Sequence, residues 1–221
     1  MDRCGDDIGA EGTFFPGKNL PRPQPCRKTG ARDRMLPMSR PEPGDGSLRP
    51  APITIITGPR DSGKTKTAAS MAARFMAEGR TLGGVIANAE LRDGVKVSYS
   101  LFDLATRASM TYARRRIGPV PAGALAYEFL DKGLEFGCAA IRRAIAENVN
   151  AVFVDEIGPL EMNGLGLWEP VREARSAHAG LLVLTVRPDL LSFLLVKLAV
   201  RPEEARIIRL PDDPARGQGR P

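Results

Sequence analysis

The chain has 221 residues, of which 43% are hydrophobic and 5% aromatic, and it carries a formal net charge of +6 at pH 7. This composition is typical of a globular protein, and no apolar run reaches the roughly 18 to 20 residues that a membrane-spanning helix needs. The three cysteines are an odd number at no metal-like spacing, which argues against a disulfide scaffold or a zinc site. We therefore expect a cytoplasmic protein without a membrane partner.

The positive charge by itself does not indicate a nucleic-acid partner. No long block of like charge is present, and aromatic residues that would stack on bases are scarce. A basic rim around a polyphosphate site accounts for the charge equally well. The sequence thus disfavours nucleic acid as a partner, and no feature of it predicts an oligomeric state.

Composition divides the chain into a central region and two tails. Residues 1–50 hold 8 of the 19 prolines and 7 of the 23 glycines without any apolar periodicity, so we expect a disordered N-terminal tail. Residues 211–221 are also rich in proline and glycine and are predicted to form a flexible C-terminal tail. Residues 51–210 are predicted to form one domain.

Within residues 51–210, apolar runs of strand length alternate with helical patterns. The predicted strands are 53–57, 82–87, 95–102, 151–156, 181–186 and 205–210. The predicted helices are 64–78, 127–148, 167–178 and 189–198. The segment after the turn signal Arg92-Asp93-Gly94 is expected to form one arm of a β-hairpin. This alternation indicates an α/β fold, a three-layer sandwich with a mainly parallel sheet.

A glycine-rich motif connects the first predicted strand to the first predicted helix. Residues 58–65, GPRDSGKT, satisfy the G-x-x-x-x-G-K-[ST] pattern of phosphate-binding (Walker A) loops, and we call them the phosphate loop. Gly58 and Gly63 allow a tight bend in which successive N–H groups converge on an anion, and the helix adds its free amides and dipole. A glycine-rich turn with a chance Lys-Thr pair is the alternative. The strand before the motif and the helix after it favour the phosphate site.

The motif also predicts roles for individual side chains. Lys64 is expected to bridge β- and γ-phosphate oxygens, which implies a nucleoside triphosphate, and Thr65 to place its hydroxyl on Mg²⁺. Asp61 is a carboxylate close to phosphates, so it needs water or a neighbouring donor. The predicted nucleotide-binding residues are Gly58, Pro59, Arg60, Asp61, Ser62, Gly63, Lys64, Thr65 and Lys66.

A pair of acids at the end of a later strand completes the predicted site. Residues 151–156, AVFVDE, form an apolar run typical of a strand buried on both faces, followed by Asp155 and Glu156. Asp155 is predicted to bind Mg²⁺ through a water, and Glu156 to orient or deprotonate an attacking water. A solvated helix cap is the alternative, but the phosphate loop upstream favours the catalytic interpretation.

Three stretches together resemble the P-loop nucleoside-triphosphatase family, to which archaeal thermophilic NTPases and the human cancer-related nucleoside-triphosphatase belong. They are GPRDSGKT from Gly58, LGGVIANAELRDGVKVSYSLFDLATRA from Leu82 and VFVDEIGPLEM from Val152. The resemblance extends over residues 53–210 and implies a RecA-like or AAA-like architecture with slow, Mg²⁺-dependent hydrolysis of several nucleoside triphosphates. It also implies that Lys64 binds phosphate and Thr65 binds the metal. In the second motif it implies that Asp155 binds the metal and that Glu156 activates the water.

The resemblance adds two candidate site residues, and the sequence departs from the family pattern at other positions. Glu161 matches the family's downstream acid, and Arg114 falls where family members carry an arginine after the hairpin. The alternative for Arg114 is a structural one, a side chain on a solvated loop face. Asn88 stands where the family has threonine, and KVSYSL from Lys96 replaces an Arg-Gly-Phe-like string. The contacts to the nucleoside are therefore the least determined part of the site.

Three functions remain open from the sequence. The first is Mg²⁺-dependent hydrolysis of a nucleoside triphosphate, with Glu156 activating the water. A nucleotide or small-molecule kinase would share the loop and the metal but pass the phosphate to an acceptor, with Arg114 and its neighbours in a lid. A nucleotide-gated binding module would bind the triphosphate and act on a partner. Two other polar residues are given plain structural interpretations, Thr185 as a strand terminus and His178 as a helix cap.

Overall fold

The computed structural model describes residues 51–119 and 126–212 of the chain. The predicted N-terminal tail and residues 213–221 of the predicted C-terminal tail lie outside these residues. In chain order the elements are β1 (Ile53–Thr57), α1 (Lys64–Ala77), β2 (Leu82–Arg92), β3 (Val95–Asp103), β4 (Ser109–Arg115), β5 (Tyr127–Phe129), α2 (Asp131–Ala146), β6 (Ala151–Ile157), α3 (Pro159–Met162), α4 (Trp168–Ala177), β7 (Leu181–Val186), α5 (Pro188–Lys197), a 3₁₀ turn (Pro202–Glu204) and β8 (Ala205–Arg209).

The strands of the described residues form one eight-stranded sheet in the order β5-β4-β3-β2-β6-β7-β1-β8. The five strands from β2 to β8 in this order pair in parallel, whereas β3, β4 and β5 continue the sheet as an antiparallel meander. The sheet confirms the predicted α/β fold, and the pairing of Arg92 with Val95 confirms the predicted hairpin. Parallel pairing brings the carboxyl ends of β1, β6 and β7 to the same edge, where ligands of open α/β sheets bind.

Helices pack on both faces of the sheet and produce the three layers. On one face, α1 buries Ala72 and Phe75 against Phe153 of β6. On the other face, α2, α4 and α5 pack against a second core that includes Val152 and Val154. Successive residues of β6 therefore enter opposite cores, which is why this strand is a continuous apolar run. Among residues 51–119 and 126–212, no helix is long and apolar enough to cross a membrane.

The predicted helix over residues 127–148 was wrong at its start. Tyr127–Phe129 forms β5, which pairs with β4, and α2 begins only at Asp131. The ring of Tyr127 packs edge-on against Tyr99 of β3, with ring centroids 5.2 Å apart. These contacts with residues distant in sequence override the local helical pattern.

Strand β4 was not predicted, and β2 is longer than predicted. In β4 only the adjacent residues Tyr112 and Ala113 are buried. A strand with so little burial needs no alternation of apolar and polar residues, so its sequence did not indicate a strand. Its hydrogen bonds to β3 make it a strand. The last residues of β2, up to Arg92, are exposed and are held by the hairpin.

His178 follows α4 and has only 1% of its surface exposed. It is the C-cap residue of α4, as the sequence predicted, and its backbone N–H donates to the carbonyl oxygen of Ala174 at 3.1 Å. Neither ring nitrogen has a hydrogen-bond partner among the described residues. Burial lowers the pKa of this imidazole below its ordinary value. The unfolded chain takes up a proton near pH 6.5, whereas the folded protein takes it up only at lower pH. The free energy of unfolding therefore falls as the pH drops below about 6.5.

We expect His178→Leu to remove this acid-dependent loss of stability. Between about pH 7.5 and about pH 5.5, the wild type should lose free energy of unfolding relative to the variant, by at most about 1.4 kcal/mol per pH unit. Urea unfolding of both proteins at both pH values measures the difference, and carboxyl groups common to both cancel. Parallel changes in the two proteins would contradict the prediction.

Candidate active site

The phosphate loop connects β1 to α1 and bends tightly. Gly63 has a φ of +92°, in the left-handed region that favours glycine. A Cβ at Gly58 would lie 2.6 Å from Ser62 Oγ and 2.9 Å from Leu210 Cβ, so this position has no space for a side chain. No side chain in the described part of the chain caps the N-terminus of α1. Its first-turn amides are therefore suited to bind an anion.

Lys64 folds back over the phosphate loop. Its Nζ donates to the carbonyl oxygens of Gly58, at 2.7 Å, and Pro59, at 2.5 Å. Burial lowers the pKa of the ammonium, and the carboxylates of Glu156 and Asp155 oppose this effect. The structure thus brings the loop lysine within electrostatic range of both predicted acids.

Asp155 is held in one orientation by groups from several elements. The residue is 1% exposed. Its Oδ2 accepts from the N–H of Ala87 on β2, at 3.1 Å, and its Oδ1 from the hydroxyl of Thr185 on β7, at 2.5 Å. Burial raises the pKa of this carboxyl, and hydrogen bonds from Thr185, Thr65, Ala87 and the Glu156 amide oppose the rise. Thr65 and Asp155, predicted from separate motifs, therefore lie in contact.

Glu156 has a strained backbone. Its φ is +67°, and the pairing of β6 with β7 is interrupted between Val154 and Ile157, as in a β-bulge. The left-handed conformation costs an L-residue roughly 1–2 kcal/mol. The Glu156 N–H donates to Thr185 Oγ1, at 2.8 Å, which fixes this conformation. The bulge leaves Glu156 exposed while both of its neighbours in sequence are buried.

The carboxyl of Glu156 has an unusually high proton affinity. Many protein atoms surround this group although the residue as a whole is open to solvent, and the resulting desolvation raises its pKa to about 7. Asp155 raises the pKa further, whereas the ammonium groups of Lys96 and Lys64 lower it. A carboxylate of raised basicity that water can reach has the properties of a general base.

The donor set at this edge of the sheet suits Mg²⁺. Thr65 and Asp155 supply oxygen, which is the ligand atom that Mg²⁺ prefers. Among the described residues, no group of three or more His, Cys, Asp or Glu side chains could hold a metal without further ligands. Such sparse protein ligation is usual for Mg²⁺ that also binds nucleotide phosphates and water. The buried hydroxyls of Thr57 and Ser62, beside and within the loop, have no partner in the described structure, and a phosphate or metal-bound water would satisfy them.

Thr185 belongs to the site, although its place in the sequence indicated only a strand terminus. Strand β7 lies between β1 and β6, so its carboxyl end lies between the phosphate loop and the two acids. Its hydroxyl donates to Asp155 and accepts from the Glu156 N–H. Its sequence signal was a polar residue near the carboxyl end of an apolar strand. The same signal identified Asp155 and could have identified Thr185 as a site residue.

Of the two candidates added by the family resemblance, Arg114 lies apart from this arrangement, whereas Glu161 lies close enough to Glu156 to raise the pKa of its carboxyl. Arg114 is exposed on β4, beside Ser98 and Glu128 of the neighbouring strands, and the described contacts do not join it to the loop or the acids. Its predicted location in a loop was wrong. Glu161 is buried, and its carboxylate accepts from the N–H groups of Gly158, at 3.0 Å, and Leu167, at 3.2 Å. It connects the segment after β6 to the start of α4.

The remaining predicted nucleotide-binding residues differ in exposure. Arg60 and Lys66 are exposed, on the loop and on the first turn of α1. Asp61, with a φ of +60°, forms an ion pair with Lys96 of β3. The carboxylate in the phosphate loop thus has the neighbouring donor that a carboxylate close to phosphates needs, and the identity of this donor, Lys96, was not predicted.

Comparison with known proteins gives consistent matches. A protein-family model described as NTPase matches residues 53–210. The chain is 28% identical to nucleoside-triphosphatase THEP1 of Methanopyrus kandleri over 124 residues, 56% of this chain and 67% of that protein. It is 30% identical to nucleoside-triphosphatase THEP1 of Thermococcus kodakarensis over 137 residues, 60% of this chain and 75% of that protein. The solution structure of a human cancer-related nucleoside triphosphatase shares the fold, with a TM-score of 0.55 at 16% identity over 74% of this chain and 90% of that one.

Proposed function

The chain belongs to the NTPase family and is a nucleoside-triphosphate hydrolase, and on this premise we propose that it is a Mg²⁺-dependent enzyme in which Glu156 activates the attacking water. The observation that carries the proposal is the meeting of Lys64, Asp155 and Glu156 at one edge of the sheet. The proposed products are a nucleoside diphosphate and phosphate. We also propose the cytoplasm, expected from the sequence, as its location.

In the proposed mechanism, the phosphate loop and Lys64 hold the triphosphate. The loop amides and the N-terminus of α1 bind phosphate oxygens, and Lys64 exchanges its two carbonyl partners for β- and γ-phosphate oxygens. Thr65 and Asp155 would hold Mg²⁺, which when bound would offset negative charge of the triphosphate. Thr185 orients Asp155 through its hydroxyl and so acts as a positioning residue.

Glu156 is the proposed general base. Its carboxylate accepts a proton from water as the water oxygen attacks the γ-phosphorus, and the bond to the bridging oxygen breaks to release the diphosphate. Lys64 stabilises the charge that develops on the leaving diphosphate. The match to nucleoside-triphosphatases supports hydrolysis over transfer to a bound acceptor. The kinase alternative lacks comparable support, because Arg114 lies on β4 without a described contact to the acids.

Phosphate release from ATP, GTP, CTP and UTP, with and without Mg²⁺, tests the proposal. We expect release from several of the four triphosphates in Mg²⁺ and a fall to background after chelation with EDTA, because Thr65 and Asp155 supply no positive charge and Lys64 alone does not neutralise the phosphates. Nucleoside monophosphates added as acceptors should leave the release unchanged.

Two outcomes would contradict the proposal. Release that persists undiminished in EDTA would remove the metal from the mechanism. New diphosphate formed from an added monophosphate, in place of free phosphate, would identify a kinase.

A further inference from the structure

A lysine from outside the phosphate loop contacts the loop's carboxylate. Lys96, near the start of β3, forms an ion pair with Asp61 through its Nζ. Its backbone is held in the hairpin opposite Leu91, and its carbonyl accepts from the Tyr127 hydroxyl at 3.3 Å. The base of this side chain is therefore fixed by β2 and β5, whereas its ammonium end reaches the loop.

The same ammonium lies on the side of the loop where Glu156 lies. In the sheet, β2, β6 and β7 lie between β3 and β1, so the ion pair from Lys96 of β3 to the loop after β1 reaches across the carboxyl end of β6, where Glu156 lies. The scissile phosphate has to lie between the loop, which binds it, and Glu156, which activates the water. Lys96, close to both Asp61 and Glu156, therefore borders the position of the γ-phosphate.

The ion pair of Lys96 with Asp61 is suited to exchange. The two side chains are 34% and 53% exposed, and ion pairs of such exposure contribute little to stability. In the free protein, Lys96 offsets a carboxylate that would otherwise repel a polyphosphate. A γ-phosphate carries more negative charge than one carboxylate and offers three acceptor oxygens, so it competes well for the ammonium.

We propose that Lys96 is a further catalytic residue, which leaves Asp61 and contacts the γ-phosphate of the bound triphosphate. There it offsets the charge of the transferred group in the transition state, a role that an arginine finger has in other phosphoryl-transfer enzymes. The proposal deepens the proposed function and rests on it. It also gives Asp61 a role, since this carboxylate holds the ammonium at the site until the nucleotide arrives.

Binding and turnover of Lys96→Gln test the proposal. We expect kcat for phosphate release to fall about a hundredfold, the scale of losing one transition-state donor. Affinity for a β,γ-imido triphosphate in Mg²⁺ should fall about tenfold, whereas affinity for the diphosphate should stay within about twofold, because only the triphosphate has the group that Lys96 contacts. Lys96→Arg keeps the charge and should recover part of both losses. Lys132→Gln, an exposed lysine at the start of α2, is the matched control and should change neither quantity.

Asp61→Asn separates this role from a purely structural ion pair. If Lys96 contacts the γ-phosphate, removing its competing carboxylate should tighten triphosphate binding, the opposite of the effect of Lys96→Gln. Changes of the same direction in the two variants, or equal losses of triphosphate and diphosphate affinity in Lys96→Gln, would overturn the proposal. A wild-type turnover rate in Lys96→Gln would also overturn the proposal. If wild-type hydrolysis is Mg²⁺-dependent in the same assay, the proposed function stands. Absence of Mg²⁺-dependent hydrolysis in the wild type would instead refute the proposed function.

Discussion

Replacing Glu156 by glutamine is expected to lower kcat at least about a hundredfold while triphosphate binding is retained. Glutamine has nearly the shape of glutamate but cannot take a proton from the attacking water. It also removes a negative charge beside the phosphates, so the dissociation constant of a β,γ-imido triphosphate should stay unchanged or decrease. The backbone bond to Thr185 comes from the N–H of residue 156, and the substitution does not alter it.

The measurement pairs steady-state phosphate release with equilibrium binding. Glu169→Gln is the matched control, because Glu169 is an exposed acid on α4 that pairs with Arg172, and it should turn over like the wild type. Unchanged turnover in Glu156→Gln would remove Glu156 from the mechanism. Loss of binding together with turnover would show that the acid holds the site together and does not act as the base.

Lys64→Ala is expected to abolish turnover and to weaken triphosphate binding at least about a hundredfold, the scale of charged hydrogen bonds to a buried ligand. The residue supplies the loop's own ammonium, and its partners in the free protein are two carbonyl oxygens of the same loop. Lys64→Arg keeps the charge, but its planar fork cannot reproduce the contacts of a compact ammonium, so we expect only a small part of the activity to return.

Loss of the loop conformation is a competing explanation for inactivity of Lys64→Ala, and thermal unfolding without nucleotide separates the two. Both hydrogen bonds of Lys64 stay within the loop and do not join core elements, so the midpoint should shift by at most a few degrees. Lys132→Ala controls for the loss of a lysine. Wild-type affinity of Lys64→Ala for a triphosphate would show that residues 58–65 are not a phosphate loop.

The fold and the first contacts of the site could be predicted because their signals are local. The run at residues 151–156 is apolar at every position before its acids, since β6 is buried on both faces. The glycines of the phosphate loop are required by one short bend, where Gly63 is left-handed and Gly58 has no space for a Cβ. Lys64 and Thr65 follow from the same eight residues.

Other parts depend on which strands become neighbours, which short-range patterns do not encode. Tyr127–Phe129 is a strand because β4 offers it hydrogen bonds and an aromatic surface, although its sequence continues a helical pattern. Arg114 lies on that meander, on an exposed strand with no apolar alternation. Thr185 reaches the acids only because β7 is inserted between β1 and β6.

The sequence alone therefore determined which residues we propose for the phosphate chemistry, because a tight bend and a buried strand each restrict residue type over a few consecutive positions. Only the tertiary structure decided how these residues are held. It set the left-handed backbone of Glu156 and the ion pair of Asp61 with Lys96. It also placed the Thr185 hydroxyl between the Asp155 carboxylate and the backbone N–H of Glu156. Each of these depends on contacts between residues about 30 or more positions apart in the chain. Such contacts are selected by the packing of the whole sheet, and the propensity of a local segment contains no record of them.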